Sequence, residues 1–315
     1  MARAYGLGTL PGADVPEALD IIVSETGEMP HLPIMPERGL GYDRTAMTAA
    51  MIGHLSIDRG PRGWVLLNQP RLATVRIADH LARDLDLAQA LWPPIPRVKM
   101  QLSGPLSLAC DLELADGHRV LTDPGALRDL AAALIDGIVT TRQELQRRFS
   151  VSEVVVQLDE PWLSAIAAGK VPGTNDFDTI RAIHPQDLHD ELQSLVDEVG
   201  GEVLLNQSGQ VPLWEVSPCQ VLVDTARVAG TAQLDGLGTA LAEKAVGLGV
   251  AAAEVAGDPR GVAIRLARLA EELGVDPARL SNMDVYPAGR LGNPAAAYAG
   301  VQELAGILTR DAGDL

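Results

Sequence analysis

Val154-Val155-Val156-Gln157-Leu158-Asp159-Glu160-Pro161-Trp162 is the stretch that decides the fold. An apolar, β-branched run ends in two adjacent carboxylates and a proline. Continuous apolar residues without alternation are the mark of a parallel strand buried on both faces. In barrels and open α/β sheets, ligands sit at the carboxyl ends of such strands. Two acids at that point are expensive to desolvate, so they need partners or a task. Adjacent residues on a strand point in different directions, so Asp159 and Glu160 are not expected to work as one acid–base dyad. A ligand-facing role is expected for at least one of them, and a structural network with arginines and backbone amides is the alternative.

Working outward, the same kind of run recurs. Candidate strands are Ala4–Leu7, Trp64–Leu67, Val98–Leu102, Val154–Leu158, Val203–Leu205, Val221–Val223, Val246–Val250 and Met283–Tyr286. Helical periodicity lies between them, over Val15–Glu25, Pro124–Arg148, Pro185–Val199, Thr231–Lys244, Pro259–Leu273 and Pro294–Leu308. Asp123 is placed as an N-cap with Pro124 in the first helical turn. Strand–helix alternation repeated about eight times implies an α/β protein with a parallel sheet. That number closes a single (β/α)8 TIM barrel, with an open doubly wound sheet as the alternative. At 315 residues the chain fits one barrel domain, 1–315, and no low-complexity linker divides it. The Pro-rich stretch 29–41 (MPHLPIMPERGLG) is too long for a tight turn and is expected as an ordered excursion near the barrel mouth.

A formal net charge of −17 argues against nucleic-acid or anionic-membrane partners held by a general positive field. No apolar run is long enough to span a bilayer, and the N-terminus lacks the pattern of a signal peptide. Cys110 and Cys219 make neither a disulfide framework nor a clustered metal motif, so the cytoplasm is the expected compartment. None of the six histidines coincides with a strand end, and His31 alone is worth testing. The sequence contains no GxSxG, HExxH or CxxC motif.

The strand ends supply the candidate site. Gly6-Leu7-Gly8-Thr9-Leu10-Pro11-Gly12 is either a tight turn or a loop whose amides and Thr9 hydroxyl meet a ligand. Ser103 either donates to a carboxylate or caps the next helix. Asn206 and Ser208 suit hydrogen bonding to a polar ligand, and Asp224 either joins them or pairs with Arg227. Amides and hydroxyls are poor ligands for zinc.

Taken together these segments resemble the catalytic barrel of the cobalamin-independent methionine synthase family, within the superfamily shared with uroporphyrinogen decarboxylase. Gly8-Thr9-Leu10-Pro11 is similar to that family's GSFP and Leu102-Ser103-Gly104-Pro105 to its LTGP. Gln157-Leu158-Asp159-Glu160-Pro161 is similar to its QIDEP, Val223-Asp224-Thr225-Ala226-Arg227 to its IETSR, and Gly247-Leu248-Gly249-Val250 to its GPGV. The order is kept over most of the chain, with no room for the family's long N-terminal domain. The opening through Arg38 resembles short actinobacterial members. The resemblance implies methyl transfer to a thiol activated on zinc. It places the family's His-x-Cys, Glu and Cys ligands on Asn206, Ser208, Asp224 and Gly289, and its catalytic histidine near Glu254. Expected here are therefore no metal and no other cofactor, with Glu254 as the replacement acid. The amine side is kept: Gly8 and Thr9 are expected to hold a carboxylate, and Asp159 an ammonium group. The expected ligand is a small molecule, an amino acid or a folate.

Three functions follow. The first is a divergent methyltransferase-related enzyme acting on homocysteine or another small acceptor. The second is a non-catalytic binding or regulatory protein on the same scaffold. The third is a decarboxylase-like enzyme using Arg38 and Arg44 against substrate carboxylates.

Overall fold

The Val154–Leu158 run does form a strand, because its β-branched side chains suit a pleated surface covered on both faces. The computed structural model describes residues 1–26, 29–174, 178–243 and 245–315. Among these residues are ten strands: β1 (Arg3–Ala4), β2 (Ile57–Arg59), β3 (Trp64–Leu66), β4 (Arg97–Ser103), β5 (Leu112–Glu113), β6 (Glu153–Asp159), β7 (Val203–Asn206), β8 (Gln220–Asp224), β9 (Val246–Ala251) and β10 (Asp284–Ala288). Seven of them build one wholly parallel sheet in the order β1-β10-β9-β8-β7-β6-β4. All seven therefore end at the same edge of the molecule.

The eighth candidate strand is placed elsewhere. Trp64–Leu66 is a strand, but it pairs antiparallel with β2 and parallel with β5 in a separate three-stranded sheet. The main sheet instead curls until one Pro-rich segment touches both of its edges. On the β4 side, His31 bridges Lys99 and the Lys99 amide donates to the Pro30 carbonyl at 2.9 Å. On the β1 side, Ile34 bridges Thr9, donating to Gly8 O and accepting from Leu10 N, each at 2.9 Å. Pro30 and Pro33 lack an N–H, which limits this segment to isolated bridges rather than a full ladder.

The strands alternate, and the two faces are packed differently. One set of side chains, including Val98, Met100, Leu102, Val154, Val156 and Leu158, packs in the larger apolar core that holds the Val15–Glu25 and Pro124–Phe149 helices. Val221, Val223, Leu248 and Val285 play the same part toward Pro259–Glu272 and Pro294–Asp311. The opposite set forms a third, small cluster inside the curl: Tyr5, Met29, Val155, Leu204, Leu222, Tyr286 and Ala288. Gly247 and Gly249 lie on that inner face. A Cβ at Gly249 would come within 2.6 Å of the Tyr286 ring, so the second glycine of the Gly-Leu-Gly-Val run makes room for a buried tyrosine.

Helix starts are written in the sequence as a capping residue followed by proline. Asp123 accepts from Gly125 N and Ala126 N, Asp258 from Gly261 N, and Asn293 from Ala296 N. Each cap meets amides that the helix cannot satisfy, and proline is tolerated in the first turn. The helix expected over Thr231–Lys244 is present as Thr231–Glu243, and Lys244 lies outside the described residues.

At the amino-terminal edge of the sheet, the inner face is closed by ions. Arg3 pairs with Asp284 at 2.7 Å and with Glu202 at 2.5 Å. Asp284 also accepts from the Tyr5 hydroxyl at 3.0 Å and the Gln220 amide at 2.9 Å. The base is thus a satisfied structural network, which leaves the carboxyl edge for ligand chemistry.

Candidate functional site at the carboxyl ends of the strands

The parallel register brings three expected residues side by side. Ser103 is the register partner of Asp159, and Asp159 that of Asn206. Asp159 is 4% exposed. Its Oδ1 accepts from Gln157 Nε2 and from Asn206 Nδ2, both at 2.7 Å. Among the described residues its Oδ2 faces only a guanidinium nitrogen of Arg44, at 3.6 Å. Half of this carboxylate is therefore firmly held, and half is held by a longer contact to a partly exposed side chain. Arg44 begins the helix Arg44–Ile52, whose cap, Asp43, accepts from Ala46 N at 2.9 Å and from the Trp64 indole. The small sheet thus helps to hold Arg44 over the mouth.

Around Asp159 the polar groups form a connected set. Asn206 passes the contact on, its Oδ1 accepting from Ser208 N at 2.9 Å. The Tyr286 hydroxyl donates to Ser208 Oγ at 3.4 Å. Burial holds the Tyr286 phenol well above its ordinary value, so it remains a neutral donor. The Ser103 hydroxyl is buried and has no hydrogen-bond partner among the described residues. It does not cap the following helix: Gly104, which has no side chain to offer, occupies that position.

Glu160 turns the other way. It is fully buried, and its two oxygens accept from Leu106 N at 3.0 Å and Ser107 N at 2.8 Å. It satisfies the first turn of the helix Pro105–Asp111, the network with backbone amides that the sequence offered as the alternative to a ligand-facing role. Burial outweighs those two donors and pushes its carboxyl up to about 7.

The remaining expected residues are not gathered at Asp159. Asp224 accepts from Ala226 N at 3.0 Å and caps the turn Thr225–Arg227. Glu254 is exposed on the short helix Ala252–Gly257 and pairs with Arg265 at 2.7 Å. Gly8, with φ +121°, packs against the Gln101 side chain, where a Cβ would come within 2.6 Å. Thr9 is exposed and lines a separate cavity of about 230 Å3 with Pro36, Glu37 and Arg290. His31 is wholly buried, 3.4 Å from the Tyr298 hydroxyl, and desolvation holds its ring well below the ordinary imidazole value.

Sequence reasoning missed the groups behind Asp159. Lys99, Gln101 and Gln157 are buried on the inner face of β4 and β6, with Lys99 Nζ 2.8 Å from Gln157 Oε1. Their signal was present: Lys99, Gln101 and Ser103 occupy alternate positions within a run that had been read as uniformly apolar.

Neither cysteine is a nucleophile as placed. Burial pushes Cys219 up to about 12 and Cys110 higher still. Among the described residues no group of three or more His, Cys, Asp or Glu side chains is arranged to hold a metal ion, and no helix is long and apolar enough to cross a membrane.

No known family profile matches the chain, and no characterised protein matches it in sequence. Its architecture does match solved structures. A B12-independent methionine synthase from Shewanella sp. W3-18-1, solved with selenomethionine, is 12% identical, with a TM-score of 0.56 over 98% of both chains. A putative vitamin-B12-independent methionine synthase from Listeria monocytogenes is 11% identical, with a TM-score of 0.51 over 94% of this chain and 85% of that one. A methyltransferase from Methanosarcina mazei is 13% identical, with a TM-score of 0.50 over 97% and 94%. At such identities the likeness establishes a shared α/β scaffold with methionine-synthase-like and methyltransferase proteins.

Proposed function

We propose that the chain is a methionine-synthase-like barrel protein that binds a small amino acid or amine at Asp159. In this reading residues 29–34 complete a closed (β/α)8 ring, and the protein is a divergent, methyltransferase-related enzyme working without a zinc-held thiol. The observation that carries the proposal is Asp159 itself. A nearly buried carboxylate stands at a strand end between two amides, with one oxygen bound, among the described residues, only by a 3.6 Å contact to Arg44. A ligand ammonium would take that oxygen in a charge-assisted bond. The ligand in the Shewanella structure, selenomethionine, is a molecule of this class.

The donor set does not fit zinc. The positions that correspond to the family's ligands hold an amide, a hydroxyl, a carboxylate and no side chain, in Asn206, Ser208, Asp224 and Gly289. Both ends of the Asn206 amide are already bonded within the protein, and Asp224 is engaged with a backbone amide. The decarboxylase-like alternative loses ground because Arg38 is held by both oxygens of Asp84 and Arg44 lies against Asp159.

A second reading, a non-catalytic binding protein, is favoured by one observation: Glu254, the expected acid, is exposed and paired with Arg265. Calorimetry with L-methionine tests the site. Wild type should bind, and Asp159→Asn should bind about 10- to 100-fold more weakly, the range for losing one hydrogen bond to a charged group. Equal affinities would sink the assignment. Turnover of a methylated folate with homocysteine separates enzyme from binder.

A further inference from the structure

Lys99 is the fully buried cation of the inner face. It is 0% exposed and sits in the middle of β4. Its ammonium donates to Gln157 Oε1 at 2.8 Å and to Gln101 Oε1 at 3.5 Å, and lies 5.9 Å from the Tyr5 ring centroid. No salt bridge to Lys99 is formed among the described residues. A buried ammonium with only amide acceptors is costly to keep charged. Burial pulls it down to about 7, with the nearby Asp159 charge opposing that fall. The titratable groups that face it are His31 from the 29–34 segment, Tyr5 from β1 and Asp159 from β6. Burial and the Lys99 charge keep His31 neutral, and burial keeps Tyr5 neutral, across the range where Lys99 changes state.

Gln157 joins Lys99 to the ligand site. Its oxygen accepts from Lys99, and its nitrogen donates to Asp159 Oδ1 at 2.7 Å and to the Leu7 carbonyl at 2.8 Å. One amide thus separates the two charges, and its orientation is fixed at both ends. We propose that Lys99 is a specificity-determining, positioning residue: it sets the charge behind Asp159 and so decides whether the mouth accepts a cationic group. The proposal rests on the reading of Asp159 as a ligand site.

The direction follows from like-charge repulsion. With Lys99 protonated, Asp159 is flanked by two cations, Lys99 and Arg44, and an incoming ammonium is disfavoured. With Lys99 neutral, only Arg44 remains. An amine ligand should therefore bind more tightly as pH rises through 7. The Gln157 amide and the Asp159 carboxyl stand between Lys99 and the ligand, and at a separation on the order of 10 Å and an effective dielectric of about 20 a unit charge changes affinity on the order of 10-fold. An arginine in this place could not switch, because it does not lose its proton. The chain holds 25 Lys and Arg residues, of which only Lys99, Lys170 and Lys244 are lysines.

The test uses 3-(methylthio)propylamine, which stays protonated from pH 6 to 8, and 4-(methylthio)butanoate as its anionic counterpart. Wild type should bind the amine about 10-fold more tightly at pH 8 than at pH 6. Lys99→Met should flatten that profile, and Lys99→Arg should hold it at the weaker level. In parallel, 13Cε-lysine spectra of wild type, with three lysines to resolve, should show one midpoint near 7. Binding that Asp159→Asn abolishes, but whose pH profile is unchanged in Lys99→Met, would overturn the role of Lys99 and leave the ligand site standing. The anion should bind more weakly than the amine at every pH, and failure of the amine to bind wild type at any pH would overturn the ligand site and this proposal with it. A Lys99 midpoint in the ordinary lysine range would refute the proposal whatever the variants do.

Discussion

Glu160→Gln separates the structural carboxyl from the ligand carboxyl, because glutamine keeps the shape and removes the charge. In the fold Glu160 is fully buried and accepts from Leu106 N and Ser107 N. Burial raises its carboxyl from an ordinary 4.5 to about 7. The folded-state value lies above the unfolded one, so the stabilising contribution is complete below 4.5 and is lost as pH rises through 7. Integrating that linkage between pH 5 and pH 8 gives a loss of roughly 2–3 kcal/mol in wild type, at about 1.4 kcal/mol per unit. Glutamine has no such dependence, but it offers one acceptor oxygen to two backbone donors. The unmet amide costs about 1–2 kcal/mol at either pH. The variant should therefore be less stable than wild type at pH 5 and equal or more stable at pH 8. Urea unfolding of both proteins at the two pH values measures this, and remote titrations cancel in the difference. A deficit of the same size at pH 5 and pH 8 would refute the argument that burial dominates at Glu160.

Two other substitutions probe the frame and the expected acid. Asp284→Ala leaves the Arg3 guanidinium, the Tyr5 hydroxyl and the Gln220 amide without their shared acceptor. Removing one partner of a buried pair should lower stability by about 3–5 kcal/mol in urea unfolding, with a loss under 1 kcal/mol counting against a structural base network. Glu254→Gln should leave L-methionine affinity unchanged within about 2-fold, since an exposed pair such as Glu254–Arg265 contributes little. A large loss of affinity would return Glu254 to the site.

The sheet was legible where each strand carries its own signal. Val154–Leu158, Val203–Leu205 and Val246–Val250 are short apolar runs set between helices that open on a cap and a proline, and all three entered the parallel sheet. Trp64–Leu67 carries the same local signal and entered a different sheet. Composition reports that a segment will be extended, but not which edge its backbone will meet. The Met29–Ile34 segment shows the converse. Two prolines hide it from any strand pattern, yet its carbonyls and remaining amides bridge β4 and the residues after β1.

The site was legible by position, and alternation along the strand already gave the two acids, Asp159 and Glu160, different directions although they look alike in sequence. The structure shows the reason: Asp159 shares the inner face with Lys99, Gln157 and Asn206, whereas Glu160 is claimed by the amides of Pro105–Asp111. The same rule of alternation applied to Val98-Lys99-Met100-Gln101-Leu102-Ser103 divides that run into an apolar outer face and a polar inner one. Two such polar rows meeting at Gln157 are hard to explain as core packing, since each buried polar group demands a partner. Lys99, Gln101 and Gln157 are partnered, and the row they form leads to Asp159, where among the described residues one oxygen meets only the longer Arg44 contact. Stability alone would be served by apolar residues inside the curl, as at Val155, Leu204 and Leu222. Polar residues stand instead on β4, β6 and β7 beneath the mouth and at the charged base, and the row through Gln157 ends at an incompletely held carboxylate.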